Sequence, residues 1–299
     1  MTITQSRLSA FTRDYGVYAA LVLLALSNVL VTRDFLTVET LREQVILLVP
    51  VLIVALGMAL VIGTGGVDLS VGAVMALSAA VLPLSLDYGV VPAVMAGVLT
   101  GVLTGMLSGS LVAFLKVQPI VATLAVLVVG RGIALVIADG ETPGTGLGVD
   151  VPTLVLVAVA LIVVVSVLAG QTTFGRQLVA IGGNRTAARY SGLPVNRVLL
   201  TSYVLCGSFA AVAGMFTRLT TSDPSRTGEL IGLSAITAVV AGGTPLSGGR
   251  IRVLGTVAGA VLIQLVTATL LENGAPASVA QMVQAVIIIA AVVVQRGTR

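Results

Sequence analysis

VPVLIVALGMALVIGTGGVDLSVGAVMALSAA, residues 49–80, sets two apolar runs against a short interruption. No charged residue lies between Val49 and Val67, and none between Leu69 and Ala80. Runs this continuous and this rich in Ala, Leu and Val read as helices in an apolar solvent. Between them, GGVDLSVG at 65–72 inserts Gly65, Gly66, Gly72 and a charge, Asp68. A near copy, GGTPLSGG, returns at 242–249 with Gly242, Gly243, Gly248 and Gly249. Glycine lets a chain leave helix geometry. At membrane depth, non-helical backbone survives only where protein or a water-filled cavity surrounds it. Helix breaks of this kind line transport sites.

The composition extends this reading to the whole chain. Of 299 residues, 57% are hydrophobic and 9% charged, against about 25% charged in soluble domains. So few charges cannot build a water-facing surface. The chain reads as an all-α polytopic membrane protein, one transmembrane domain over 1–299. A transmembrane barrel is excluded because the runs do not alternate. Ten spans are predicted, at 16–31, 44–62, 71–87, 89–114, 119–138, 152–169, 198–217, 230–242, 252–271 and 278–295. The polar N-terminal stretch ends without a small-residue cleavage site, so no signal peptide is predicted.

Basic residues retained inside set orientation. With the N-terminus in the cytoplasm, Arg7, Arg13, Lys116, Arg176, Arg185, Arg189, Arg197, Arg250, Arg252, Arg296 and Arg299 fall inside. Only Arg33, Arg42, Arg218 and Arg226 fall outside. Both termini are therefore predicted to be cytoplasmic. The net charge of +4 is a topology signal, not a nucleic-acid patch.

The chemistry on offer is sparse. There is no histidine, one cysteine and no clustered metal-ligand set, so no metal site or cofactor bound by this chain is predicted. LSGGR at 246–250 resembles an ATPase signature, but no GxxxxGK[ST] phosphate loop accompanies it and the only lysine is Lys116. The chain is therefore not expected to hydrolyse ATP. Asp68 has two open readings. It contacts a substrate or ion, or it and Ser70 cap the helix that begins at Val71. Polar residues beside the spans, Asp68, Ser70, Ser78, Asn28 and Gln118, are the candidates for a substrate pathway. Gly97, Gly101, Gly105 and Gly109 recur every fourth residue and predict close helix packing. The segment 170–197 is the one sizeable inside loop. It reads as two short helices closed by Gly182 and Gly192, decorated by arginines and exposing Leu178, Ile181 and Tyr190. A folded basic loop with apolar residues suits docking of a soluble partner.

Three stretches together resemble a known family. They are residues 49–80, GRQLVAIGGNRTAARYSGLPVNRV at 175–198 and AITAVVAGGTPLSGGRIRVLGTVAGAVLI at 235–263. They are similar to membrane permeases of ABC sugar importers of the ribose, xylose and galactofuranose type. The resemblance implies a type II-like importer fold of ten spans in a bacterial inner membrane. It also implies a second permease subunit, two cytoplasmic ABC ATPase subunits that use the ATP, and an extracytoplasmic sugar-binding protein docking near 31–43, 139–151 and 218–229. Segment 170–197 becomes the ATPase-coupling loop, with Arg176, Gly182, Gly183, Arg185, Ala187, Ala188, Arg189 and Gly192 as its contact positions. Arg185 departs from the acid that relatives often carry after GGN. An amino acid or nucleoside permease of the same superfamily is the alternative. An ion-coupled transporter fits less well, since only Asp68 and Arg131 are ionisable within the spans.

Overall fold

A computed structural model describes residues 3–31, 35–138, 148–220 and 231–296. Those residues are almost entirely helical and hold no strand. The helices are α1 (Ile3–Val31), α2 (Val38–Gly63), α3 (Val71–Leu84), α4 (Val90–Ala113), α5 (Pro119–Ala138) and α6 (Val151–Gly170). They continue as α7 (Thr173–Gly183), α8 (Arg185–Tyr190), α9 (Val195–Thr220), α10 (Ile231–Ala241), α11 (Val253–Glu272) and α12 (Ala277–Arg296). Six of these, α2, α4, α5, α6, α9 and α11, are long and apolar enough to cross a membrane. Shorter apolar segments at Gly16–Leu30, Val71–Leu84, Ile231–Ala241 and Ala277–Val293 accompany them. Most of the loops expected at 139–151 and 218–229 lie outside the described residues.

Boundaries move where local chemistry overrides hydropathy. α2 begins at Val38, ahead of the span read from 44, because Thr37 caps it by accepting the Thr40 N–H at 3.3 Å. Its first turns then carry Glu39 and Glu43 at the favourable end of the helix dipole. α3 stops at Leu84, short of the predicted 87. There a 3-10 turn at Leu86–Tyr88 and Gly89, at φ 104°, reverse the chain into α4.

α2 is the axis of the bundle. Every residue from Val49 to Gly63 is buried. A helix apolar on all sides suits either lipid or a protein interior, and this one is enclosed, with α6, α9, α10 and α11 around it. α9 is the second axis and packs on α2, α3 and α4.

The glycine-every-fourth stripe of α4 is the seam to α9. Gly97, Gly101, Gly105 and Gly109 are all buried. A Cβ at Gly101 would overlap the carbonyl of Gly207, and one at Gly105 would meet the Tyr203 carbonyl oxygen at 2.5 Å. Gly207 answers from α9, where a Cβ would overlap the Gly101 carbonyl. In lipid there is little hydrophobic drive between helices, so close van der Waals contact of this kind supplies the adhesion.

Two peripheral helices are held by polar ties. Thr269 Oγ1 on α11 donates to Asn28 Oδ1 on α1 at 2.8 Å. Ser234 Oγ on α10 donates to Gln284 Oε1 on α12 at 3.0 Å, and Gln284 Nε2 donates to Thr267 Oγ1 on α11 at 3.0 Å. Such interhelical bonds average about 0.6 kcal/mol and reach about 1.7.

The seam makes a testable prediction. Gly101→Ala should lower the melting temperature in detergent, corresponding to about 1–3 kcal/mol of overpacking. Gly132→Ala on α5, where an added Cβ meets nothing within 4 Å, should melt at or above the parent because alanine favours helix. Equal behaviour of the two variants would contradict the seam.

Candidate functional site

The two glycine motifs end their helices by the same device. At the end of α2, the Gly65 N–H donates to the Ile62 carbonyl at 2.8 Å and the Gly66 N–H to the Val61 carbonyl at 3.2 Å. Gly65 stands at φ 79°. This is the Schellman arrangement, which uses a left-handed residue to satisfy the last carbonyls. At the end of α10, the Gly243 N–H donates to Val240 at 2.9 Å and the Thr244 N–H to Val239 at 3.2 Å, with Gly243 at φ 90°. The left-handed glycine is the first of its pair in one copy and the second in the other. The copies diverge further on. Gly72 enters the first turn of α3, whereas Gly248 and Gly249 are both left-handed, at φ 79° and 81°. The buried Thr244 Oγ1 accepts the Arg252 N–H at 3.0 Å and closes that loop before α11 begins.

The breaks meet each other, and both meet α7. The Gly249 N–H donates to the Gly63 carbonyl at 3.0 Å. A Cβ at Gly248 would stand 2.5 Å from the Gly65 nitrogen and 3.0 Å from the Gly182 Cα. A Cβ at Gly182 would overlap the Gly63 carbonyl and stand 2.5 Å from the Gly249 nitrogen. Three segments distant in sequence thus touch backbone to backbone, and only glycine permits the approach. Leu178 and Ile251 side chains pack over Gly63.

Asp68 sits beside this junction and is fully buried. Its Oδ1 accepts the Ser70 N–H at 2.9 Å and the Ser70 hydroxyl. Ser70 Oγ lies 3.3 Å from Ser108 Oγ on α4. Oδ2 has no hydrogen-bond partner among the described residues, and the Cys206 thiol of α9 lies beside the Asp68 side chain. Tyr203 Oη reaches the Val67 carbonyl at 3.5 Å from the same face of α9. The helix-cap reading of Asp68 and Ser70 needs correction. Ser70 occupies the cap position of α3 but makes no side-chain cap bond, and Asp68 binds Ser70 itself, one step ahead of the helix. Asp68 therefore shapes the turn and pins it to α4 and α9.

The other pathway candidates do not join it. Asn28 makes the α1–α11 tie by accepting from Thr269, and its Nδ2 donates to the Leu24 carbonyl at 3.0 Å. Ser78 donates to the Met75 carbonyl at 3.0 Å, at the close crossing of α3 with Gly214 of α9. Gln118 is exposed, just before α5.

Segment 170–197 forms two helices, as read, but their details differ. Gly182 does not close α7. It lies within the helix and makes the junction contact. Asn184 ends α7 and caps α8, with Oδ1 accepting the Ala187 N–H at 2.9 Å. Leu178 and Ile181, expected on the surface, are 0% and 1% exposed, because α7 lays that face on the ends of α2 and α6. Tyr190 is exposed, as expected. Arg176, Gly183, Ala187 and Arg189 face outward, Arg185 is half-buried and Ala188 is buried. Gly192, at φ 76°, turns the chain into α9.

Apolar spans, a broken axial helix and a folded loop packed against the breaks define a multi-pass membrane permease. The chain belongs to the family described as branched-chain amino acid transport system / permease component, which matches residues 41–292. Among its relatives is the ribose import permease protein RbsC of Bacillus subtilis (strain 168), 40% identical over 260 residues, covering 82% of this chain and 80% of that protein. The galactofuranose transporter permease protein YtfT of Escherichia coli (strain K12) is 39% identical over 268 residues, covering 82% and 76%. The ribose import permease protein RbsC of Escherichia coli (strain K12) is 34% identical over 297 residues, covering 93% and 92%.

The junction separates two adjacent glycines. Gly182→Ala should force the α7 and α2 backbones apart and destabilise the protein by about 1–3 kcal/mol. Gly183→Ala, whose Cβ would meet nothing within 4 Å, should fold and melt like the parent. Thermal melting of both variants in detergent checks this, and a tolerated Gly182→Ala would contradict the contact.

Proposed function

We propose that this chain is the membrane permease subunit of an ATP-driven importer that takes up a sugar delivered by an extracytoplasmic binding protein. The observation that carries the reading is the conjunction of two things. The relatives named for ribose and galactofuranose cover most of the chain, and a folded loop packs backbone to backbone against both helix breaks. The family description speaks of branched-chain amino acids. The sugar reading is preferred because those relatives match along most of their own lengths.

In this reading the six long helices and four shorter apolar segments make ten crossings of a bacterial inner membrane. The arrangement is type II-like, with both termini cytoplasmic. Lys116, Arg176, Arg185, Arg189, Arg197, Arg250 and Arg252 then share the inner face, in keeping with retained positive charge. α7 and α8 form the coupling surface. Leu178 and Ile181 anchor α7 to the bundle, while Arg176, Gly183, Ala187, Arg189 and Tyr190 face a cytoplasmic ATPase subunit. ATP binding and hydrolysis occur on that partner, and this chain binds no cofactor. Movement of α7 shifts the Gly182 contact and, through it, both breaks. Paired with a second permease subunit, the bundle rocks between outward and inward openings. A neutral sugar needs few charges along its path, which fits the single buried acid, Asp68, in the described core.

A surface variant tests the coupling. Ala187 is exposed, and a glutamate there also suits the third position of α8, so Ala187→Glu should fold normally. ATP-driven uptake in proteoliposomes holding the ATPase and binding protein should fall about tenfold or more. Unchanged uptake would contradict the coupling role. Uptake by the chain without an ATPase would contradict the importer reading.

A further inference from the structure

Lys116, Arg189 and Arg197 converge on one cleft of about 570 Å³, lined also by Phe114, Leu193 and Asn196. They come from three separate places: the turn between α4 and α5, the last turn of α8, and the first turn of α9. None of the three forms an ion pair among the described residues, and no acid lines the cleft. Of the acids with described side chains, Glu39, Glu43, Asp87, Asp150 and Glu272 lie at the opposite helix ends, and Asp68 is buried in the core. No described carboxylate faces these cations.

Two local features make the arrangement costly to keep without a use. Lys116 stands at φ 56°, the one non-glycine residue with positive φ among those described. A glycine would take that helix-ending position more easily. Arg197 places its charge in the first turn of α9, the end of a helix dipole that favours anions. A bound anion would offset the unfavourable placement of Arg197.

Retention of positive charge at the inner membrane face accounts for basic residues in general. It does not account for their convergence. The cleft's surroundings indicate the occupant. Arg189 belongs to α8, which lies past the cytoplasmic end of the apolar α9 and is polar apart from two alanines and Tyr190. Tyr190 is 89% exposed, Phe114 in the lining of the cleft is 54% exposed, and the adjacent Leu115 is 68% exposed. An apolar rim around a cationic centre, continuous with the α7–α8 surface, matches a protein interface with a charged anchor.

We propose that Lys116, Arg189 and Arg197 bind a carboxylate side chain of the ATPase subunit, forming a second anchor beside the coupling helices. The inference rests on the proposed pairing of α7–α8 with that subunit. The added element is the α4–α5 turn, which brings the stripe-packed α4 into the same contact. A push on the ATPase side would then reach the bundle at two points, the glycine junction and the end of the α4–α9 seam.

The test uses the chain co-expressed with its ATPase subunit, purified as a complex in neutral detergent. Lys116→Glu and Arg197→Glu should each weaken association about tenfold. The loss should shrink at about 0.5 M salt, where charges on the rim are screened. Lys116→Arg should bind like the parent. If Lys116→Glu lowers the membrane yield, Arg197→Glu carries the test, judged against its own yield and melting temperature. Parent-like association of both charge reversals would overturn the proposal. So would a loss confined to vesicles containing phosphatidylglycerol and missing in detergent, which would assign the cleft to lipid phosphates. Ala187→Glu separates the two ideas. Association that survives Ala187→Glu but fails with Lys116→Glu supports the cleft and contradicts the α7–α8 pairing. Failure with Ala187→Glu alone does the reverse.

Discussion

A single backbone hydrogen bond, from the Gly249 N–H to the Gly63 carbonyl at 3.0 Å, ties the end of the bundle's axial helix to a loop distant in sequence. Gly63 ends the axial helix α2, and Gly249 lies in the loop between α10 and α11. Gly182 of α7 closes over the same pair, so the contact has no room for a single β-carbon. Buried peptide groups must be bonded somewhere. Here the carbonyl that α2 leaves open at its end is satisfied by a loop nearly two hundred residues away. The loop can reach it only because Gly248 and Gly249 adopt left-handed conformations. Asp68 then stabilises the turn that follows, through Ser70 and Ser108, against α4.

This constraint gives the glycines of the chain two distinct jobs. Along α4 they permit helix faces to approach, and the contact is side-on, between regular helices. At the junction they permit chain reversals to approach, and the contact is end-on, between a helix end and two loops. The first kind makes a rigid wall from α4 and α9. The second places the short helix α7 against the ends of the central spans. Both kinds of contact link packed bodies, and packed interiors transmit displacement instead of absorbing it.

Much of this was legible in the sequence, for reasons that are local. Apolar runs marked the helices because lipid demands internally bonded backbone. The stripe from Gly97 to Gly109 announced a close seam because its period matches a helix face. The GG pairs announced helix ends. What the sequence did not show was partnership. Nothing in the spacing of Gly63, Gly182 and Gly249 signals that they touch, because contact between distant segments follows from the packing of the whole bundle. Leu178 and Ile181 looked exposed because α7 is short and amphipathic, and its apolar stripe could equally have faced a partner. The bond that Asn28 accepts from Thr269 on α11 likewise had no local signature. Asn184, which caps α8 and ends α7, carried a readable signal as an asparagine three residues before a bonded N–H, but the neighbouring glycines drew attention away from it.

The account stands on the junction being closed in the folded protein. Hydrogen–deuterium exchange resolved to the Gly249 amide tests this most directly. The account predicts protection comparable to that of the Leu60–Gly63 amides inside α2. Exchange of Gly249 at the rate of an open loop, with α2 still protected, would contradict it.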